Sequence, residues 1–141
     1  MTPQRRAERC AEIMWATDAA SQHIGLSLDR IGPGTAVMTL VVQPRHLNGH
    51  GICHGGIIFA LADSAFAFAC NSHNRVTVAQ ENSITYLEPA KADDTLTAHA
   101  QEAATTGRSG VYDVTVTTAD GRRIALFRGL SRSIKGQHFE E

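Results

Sequence analysis

The sequence lacks the features that mark several specialised classes of protein. None of its apolar runs approaches the roughly 20 residues needed to cross a bilayer. Its three cysteines are too few and too unevenly spaced for a disulfide scaffold. A net charge of -1 and an aromatic content of 6% provide neither a basic surface nor a stacking platform for nucleic acid. We therefore predict a cytoplasmic protein with a single domain, residues 1–141, that binds neither membranes nor nucleic acid.

Hydrophobic patterning predicts an α+β fold with one buried helix. Residues 1–20 contain an amphipathic N-terminal helix, and residues 57–71 are apolar nearly all round, which is typical of a helix enclosed by a sheet. Short connections favour an antiparallel meander of the last four strands around this central helix. Residues 136–141 are predicted to be a frayed tail. Strands are predicted at residues 24–29, 36–42, 75–87, 95–103, 111–118 and 123–134.

A lone carboxylate in the central helix is the most informative feature of the chain. From Ile57 to Cys70, only Asp63 and Ser64 have polar side chains. A buried charge is costly unless it is paired or used, so Asp63 is either a structural carboxylate or a reactive one. As a reactive group it would activate a water molecule as a general base or attack a carbonyl carbon itself.

A glycine-rich loop, residues 43–56, leads into this helix and ends at Gly55 and Gly56. Backbone N–H groups at a helix N-terminus have no intrahelical partner and carry the positive end of the helix dipole, so they suit the stabilisation of an oxyanion. The two glycines could equally serve close packing of the loop. The sequence thus places a possible oxyanion hole and a possible base on one helix.

The spacing of these two groups has a consequence for assembly. Eight residues separate Gly55 from Asp63, and a helix rises about 12 Å over that interval, which is too far for both to serve one small carbonyl. Two such helices running antiparallel across a two-fold axis would bring Asp63 of one chain towards Gly55 of the other. We therefore predict an obligate homodimer with two composite sites.

Several motifs together resemble one family. The run of residues 48–56, NGHGICHGG, followed by FALAD at residues 59–63, is similar to the hot-dog-fold acyl-CoA thioesterases, and most of all to their PaaI-type, phenylacetate-degradation subgroup. Residues 84–90, 110–114 and 125–129 extend the similarity. The resemblance implies a hot-dog fold and hydrolysis of an acyl-CoA ester, most plausibly aryl or arylacetyl, to a free acid and coenzyme A. It also implies a dimer or a dimer of dimers, with no metal or redox cofactor.

The resemblance implies roles for four residues near the reacting centre. Asp63 would be the nucleophile or general base, Gly55 the oxyanion N–H, and Asn48 and His54 the groups near the thioester and the water. Without the resemblance, Asn48 reads equally as a turn residue beside Gly49, and His54 as a structural histidine of the loop. The roles of Asn48 and His54 therefore depend on the family.

A second set of residues is predicted to contact the substrate. Some family members carry a serine or threonine on the strand facing the site, where this chain has Ala79, with Gln80, Asn82 and Ser83 nearby. Arg108, in a turn with Gly107, is the candidate for the phosphates of coenzyme A, because guanidinium groups bind phosphate well. The predicted substrate-binding residues are Gly56, Ala79, Ser83, Gly107 and Arg108.

Other chemistries are compatible with the same residues. A zinc site is suggested by four possible ligands, His46, His50, Cys53 and His54, although their spacing matches no recognised ligand pattern. Cys53 beside His54 suggests a thiolate nucleophile, although sequence neighbours rarely point at each other. Cys10 and Cys70 are expected to be small core residues. A hot-dog dehydratase or hydratase and a non-catalytic binder of CoA esters are the alternative functions.

Overall fold

The protein, described over all residues 1–141 by a computed structural model, contains one antiparallel sheet and one central helix. The predicted α+β architecture is confirmed. None of the helices combines the length and apolar character needed to cross a membrane. The helices are α1 (Pro3–Thr17), α2 (Ala19–Ile24) and α3 (Gly55–Cys70), with a 3-10 turn at Pro44–His46. The strands are β1 (Ser27–Gly32), β2 (Thr35–Val41), β3 (Thr77–Tyr86), β4 (Thr95–Thr106), β5 (Ser109–Thr118) and β6 (Arg123–Ser133).

The strand order corrects the predicted meander. The sheet runs β1-β2-β4-β5-β6-β3, so β4, β5 and β6 form a meander but β3 lies beyond β6, at the far edge. The connection over residues 87–94 makes this possible. Crossing three strand spacings requires about 14 Å, and eight extended residues span more than 20 Å. A chain of that length can therefore leave one edge of the sheet and re-enter beside β2.

The N-terminal region differs from the prediction because a second helix interrupts it. Asp18 ends α1 and caps α2, since its carboxylate accepts a hydrogen bond from the Ser21 N–H at 3.1 Å. Gly25, with a φ of +96°, then ends α2 in a left-handed conformation that favours glycine. The strand predicted to begin at residue 24 consequently begins at Ser27.

The core forms where the sheet wraps α3. Eight of the helix residues are buried, and the remainder of the core comes from the concave face of the sheet. Phe66 lies at the centre, with ring centroids 5.7 Å from Tyr112 and 5.8 Å from Phe127. Gly129 of β6 faces Phe66, and the absence of a side chain there lets the ring approach the sheet. All three cysteines are buried and free, and Cys10 and Cys70 are small interior residues as predicted.

Three sets of hydrogen bonds fix α3 along β3, which runs antiparallel to it. The Tyr86 hydroxyl donates to the Gly55 carbonyl at 2.8 Å, and Asn71 exchanges hydrogen bonds of 2.9 and 3.0 Å with the backbone of Thr77. Between them, Asn82 Nδ2 donates to Asp63 Oδ1 at 2.9 Å. Eight helical residues rise about 12 Å, and the four-residue step from Tyr86 to Asn82 spans about 13 Å. The next step, from Asn82 to Thr77, has five residues, and the bulge at Gln80 takes up the extra one, so the contacts stay in register.

The C-terminal residues are held against the protein, contrary to the predicted frayed tail. The N–H groups of His138 and Phe139 donate to Asn74 Oδ1 at 3.0 and 3.2 Å. His138 Nε2 lies 2.8 Å from Asn71 Oδ1, and Glu141 forms an ion pair with Arg6 of α1. The tail therefore connects the C-terminal end of α3 to the N-terminal helix.

The contact between Gly129 and Phe66 predicts the effect of one added methyl group. A Cβ at residue 129 would lie 2.7 Å from three atoms of the Phe66 ring, which is buried and packed against Tyr112 and Phe127. We expect Gly129→Ala to lower the free energy of unfolding by about 1–3 kcal/mol in urea denaturation. Gly49→Ala is the control, because nothing lies within 4 Å of a Cβ there. Equal stability of the two variants would contradict this description of the core.

Candidate active site

Asp63 lies half-buried in the middle of α3 and contacts β3. Its Oδ1 accepts the hydrogen bond from Asn82, and no other protein group bonds to its carboxylate. Burial raises the pKa of Asp63, and the Asn82 hydrogen bond opposes that rise. A carboxylate with few partners and a raised pKa, surrounded by apolar residues, has the properties of a general base or nucleophile.

Gly55 supplies an unused donor at the start of α3. The Gly56 N–H donates to His54 Nδ1 at 2.8 Å, and the N–H groups of Ile57 and Ile58 donate to the His54 carbonyl. The Gly55 N–H has no acceptor in the chain. It is therefore available to an anionic oxygen at the positive end of the helix dipole.

His54 and Asn48 organise the loop before α3. His54 is the N-cap of the helix, and its exposed ring accepts a hydrogen bond through Nδ1, so the proton of the neutral ring is on Nε2. Asn48 Oδ1 accepts from the N–H groups of His50 and Ile52 at 3.0 and 3.3 Å, which closes the turn at Gly49. The Asn48 Nδ2 group has no acceptor and remains a free donor. The structure thus assigns both residues a structural contact and leaves each a second polar group free.

The substrate-binding residues predicted on β3 point to different faces of the sheet. Asn82 faces α3 and pairs across the sheet with Gly129. Side chains alternate along a strand, so Ser83 lies on the outer face, opposite Arg128. A bulge between Ala79 and Glu81 returns Ala79 to the inner face, where it pairs with Ser131. Ala79 is therefore on the same face as Asp63, and Ser83 is not.

Gly107 and Arg108 lie away from Asp63, in the turn between β4 and β5. They line a polar cavity of about 310 Å³ beyond the C-terminal end of α3. Its other polar side chains include Arg75, Thr77 and Ser131. The fold therefore divides the predicted residues among the start of α3, the middle of α3 with the inner face of β3, and this cavity, and it places Ser83 apart from all three, on the outer face of the sheet.

Asn82 is a site residue with a weak signal in the sequence. That signal is a polar side chain on a predicted β-strand, three residues after Ala79. Which face it occupies depends on the bulge at Gln80, and bulges leave no clear signature in a strand pattern. The hydrogen bond to Asp63 became evident only from the packing of β3 on α3.

Comparison with known proteins identifies the family. The family model of the Thioesterase superfamily matches residues 50–125, more than half of the chain. The chain is also 42% identical over 131 residues to the acyl-coenzyme A thioesterase PaaI of Escherichia coli (strain K12), covering 93% of this chain and 94% of that protein. This chain belongs to the thioesterase superfamily.

Two solved structures have the same overall fold as this thioesterase. The structure of the E. coli PaaI protein, from the phenylacetic acid degradation operon, has a TM-score of 0.94 and 40% identity, over 96% of this chain and 99% of that one. A hypothetical thioesterase protein of Streptococcus pneumoniae TIGR4, solved with coenzyme A, has a TM-score of 0.80 and 28% identity, over 89% of this chain and 96% of that one. The predicted hot-dog fold and PaaI-type resemblance are confirmed, and the protein is a thioester hydrolase.

The zinc alternative does not agree with the contacts of His46 in this thioesterase. His46 is buried with Nε2 2.7 Å from the Ile24 carbonyl, and its Nδ1 accepts from the Gln43 N–H at 3.0 Å. Both ring nitrogens are thus engaged by the backbone and cannot coordinate a metal. No three His, Cys, Asp or Glu side chains are grouped closely enough to hold an ion.

Cys53 lies in the core, with 3% of its surface exposed. Burial raises the pKa of its thiol to about 11, whereas a nucleophilic cysteine needs a lowered pKa. We expect Cys53→Ala to retain thioester hydrolysis, and the native protein to resist alkylation of Cys53 by iodoacetamide near neutral pH. Thiol-release assays and peptide mass spectrometry measure the two effects. Loss of turnover in a folded Cys53→Ala variant would restore the thiolate mechanism.

Proposed function

We propose that this thioesterase hydrolyses acyl-CoA esters to a free acid and coenzyme A. The observation that carries the proposal is the arrangement of α3, where an unused N–H at Gly55 and a half-buried carboxylate at Asp63 provide the two groups that thioester hydrolysis requires. The E. coli relative named as an acyl-coenzyme A thioesterase and the S. pneumoniae protein solved with coenzyme A support the choice of ester.

An aryl or arylacetyl group is the acyl portion that we favour. The support is the similarity to the PaaI protein, whose structure is described as part of the phenylacetic acid degradation operon. The chemistry at Asp63 and Gly55 is the same for any acyl group, since it acts only on the thioester carbonyl. Specificity would depend on the side chains around the acyl chain rather than on the reacting groups.

The proposed reaction proceeds through attack on the thioester carbonyl. Either Asp63 accepts a proton from water, whose oxygen bonds to the carbonyl carbon, or the Asp63 carboxylate bonds to that carbon itself. In both routes the carbonyl oxygen becomes anionic and accepts a hydrogen bond from the Gly55 N–H. The C–S bond then breaks, and the leaving thiolate takes a proton from the Asp63 carboxyl group or from solvent to give coenzyme A. In the second route this step leaves an acyl anhydride on Asp63, which water cleaves to the free acid and the carboxylate. None of these steps requires a metal or redox cofactor.

The free edge of β3 supports the predicted homodimer. β3 pairs on one side with β6 and presents its other edge to solvent over ten residues. Val78, Tyr86 and Leu87 at this edge are 44%, 47% and 47% exposed. A long edge strand with apolar side chains is unusual in a monomer, because it invites pairing with another chain. We infer that β3 of one chain pairs with β3 of a second chain across a two-fold axis, so that the two α3 helices run antiparallel.

Arg108 remains the proposed contact for the phosphates of coenzyme A. It lies with Arg75 at the polar cavity beyond α3, where two guanidinium groups are near hydroxyl side chains. Phosphate oxygens accept hydrogen bonds from both kinds of group. In a dimer of dimers, or in the dimer itself, the long pantetheine arm would extend from the carbonyl to this region.

The most direct test replaces the carboxylate with its amide. Asp63→Asn preserves the side-chain shape and a carbonyl oxygen for Asn82, but it removes both the basic and the nucleophilic oxygen. We expect kcat for acyl-CoA hydrolysis to fall by about 10²- to 10⁴-fold with substrate affinity retained, measured by thiol release and by calorimetry with a CoA ester. Asp93→Asn is the matched control, because Asp93 is exposed and its φ of 73° suits asparagine. Normal turnover in Asp63→Asn would refute the mechanism.

A mixing experiment tests whether the site is shared between chains. Gly55→Pro removes the N–H donor at the first residue of α3, a position where the fixed φ of proline suits a helix. Its Cβ would lie 3.2 Å from the Tyr86 ring, so circular dichroism must first show that the variant is folded. Asp63→Asn and Gly55→Pro should each be inactive. If they are unfolded and refolded together, half of the dimers are mixed and each contains one intact site. We expect recovery of about a quarter of the wild-type activity.

The control for mixing is each variant refolded alone, which should stay inactive. Recovery would show that Asp63 and Gly55 from different chains complete one site. No recovery, in a mixture shown by native mass spectrometry to contain mixed dimers, would place each site within a single chain. An active monomer in light scattering would also exclude the shared site.

A further inference from the structure

We propose that Asn82 is a positioning residue that holds one oxygen of Asp63 and leaves the other as the reacting oxygen. The inference rests on the proposed role of Asp63 in thioester hydrolysis. It adds a residue from a different element, β3, and it assigns different roles to the two oxygens of the carboxylate. Both routes open to Asp63, general base and nucleophile, need one such free oxygen.

The two oxygens of Asp63 have different surroundings. Oδ1 accepts the hydrogen bond from Asn82 at 2.9 Å. Oδ2 has no partner in the protein, yet it is not among the buried unpaired atoms, so solvent can reach it. A carboxylate held through one oxygen cannot rotate freely, and its second oxygen keeps a fixed direction. The free and accessible Oδ2 is therefore the atom that meets water or the thioester carbon.

Asn82 itself has an unpaired atom. An ionised carboxylate only accepts hydrogen bonds, so the amide must turn Nδ2 towards Asp63. Its Oδ1 is then buried without a partner, and it is the only buried side-chain atom of the protein in that state. A buried acceptor without a donor costs about 1–3 kcal/mol of stability. An apolar side chain at this inward position would avoid that cost, so the contact with Asp63 is the feature that the amide provides.

The charge on Asp63 depends on the same contact. The pKa of Asp63 is raised by burial and lowered by Asn82, and no cationic or acidic side chain contributes. Cys70 is the titratable neighbour that Asp63 influences, and the pKa of its buried thiol is raised to about 12, so it remains neutral. The carboxylate form is present above its pKa and is lost as the pH falls through it. Removal of the Asn82 donor would shift this loss to higher pH.

Asn82→Leu tests the inference, because leucine keeps the branching of asparagine at Cγ and removes both polar atoms. We expect kcat to fall by about 10- to 100-fold with KM within about twofold, because the ester is still bound while the reacting oxygen is no longer held. We also expect the acid limb of the kcat profile to move to higher pH, and the Tm to stay level or rise. A residue with a purely structural role would lower the Tm and leave the pH profile in place.

Gln101→Leu is the matched control. It makes the same kind of change, amide to leucine, at an exposed residue on the outer face of β4. Its kcat, KM and pH profile should equal those of the wild type. Asn82→Ala serves as a second variant if the leucine variant does not fold, and the same losses in kcat and the same shift in pH profile are expected from it.

The outcomes separate this inference from the proposed function. Wild-type protein that releases thiol from acyl-CoA, together with a folded Asn82 variant that keeps the wild-type kcat and acid limb, would overturn the role of Asn82 and leave the function intact. A folded variant with a lower Tm and an unchanged pH profile would also overturn it. Wild-type protein that releases no thiol from any CoA ester would refute the function itself.

Discussion

The packing of α3 along β3 is the constraint on which the site depends. Three sets of hydrogen bonds connect the two elements at eight-residue intervals of the helix. The central one joins Asp63 to Asn82, and its neighbours fix the helix at both ends. A slip of β3 by one residue would turn Asn82 to the outer face and leave Asp63 without a donor. The bulge at Gln80 is part of this register, because it brings Thr77 and Asn82 to the same face.

The apolar surroundings of α3 explain why the pKa of Asp63 is raised. α3 has no polar face, and the concave sheet packs against its eight buried residues. The Asp63 carboxylate is therefore half-buried, and one hydrogen bond from the Asn82 amide stabilises its charge. A carboxylate in such surroundings is more basic than one at the surface. The apolar residues of α3 thus raise the pKa of Asp63, while its Oδ2 remains accessible to the substrate.

Local sequence signals predicted the elements well and their arrangement poorly. The central helix and the glycine-rich loop were recognised because each depends on neighbouring residues. The place of β3 beyond β6 was missed, since strand order depends on pairings between distant residues. The tail was missed for the same reason: the contacts of His138 with Asn71 and Asn74 cross more than sixty residues.

The sequence by itself determined the chemical groups of this thioesterase and their spacing along α3. Its motifs identified the family, and the eight-residue step from Gly55 to Asp63 predicted a site shared between two chains. Tertiary structure alone decided which groups are free. Capping engaged the Gly56 N–H and left that of Gly55 unused, and strand packing paired one oxygen of Asp63 and left the other open. Hydrogen-bond partners come from residues far apart in the chain, so only the folded protein shows which polar groups remain available for chemistry.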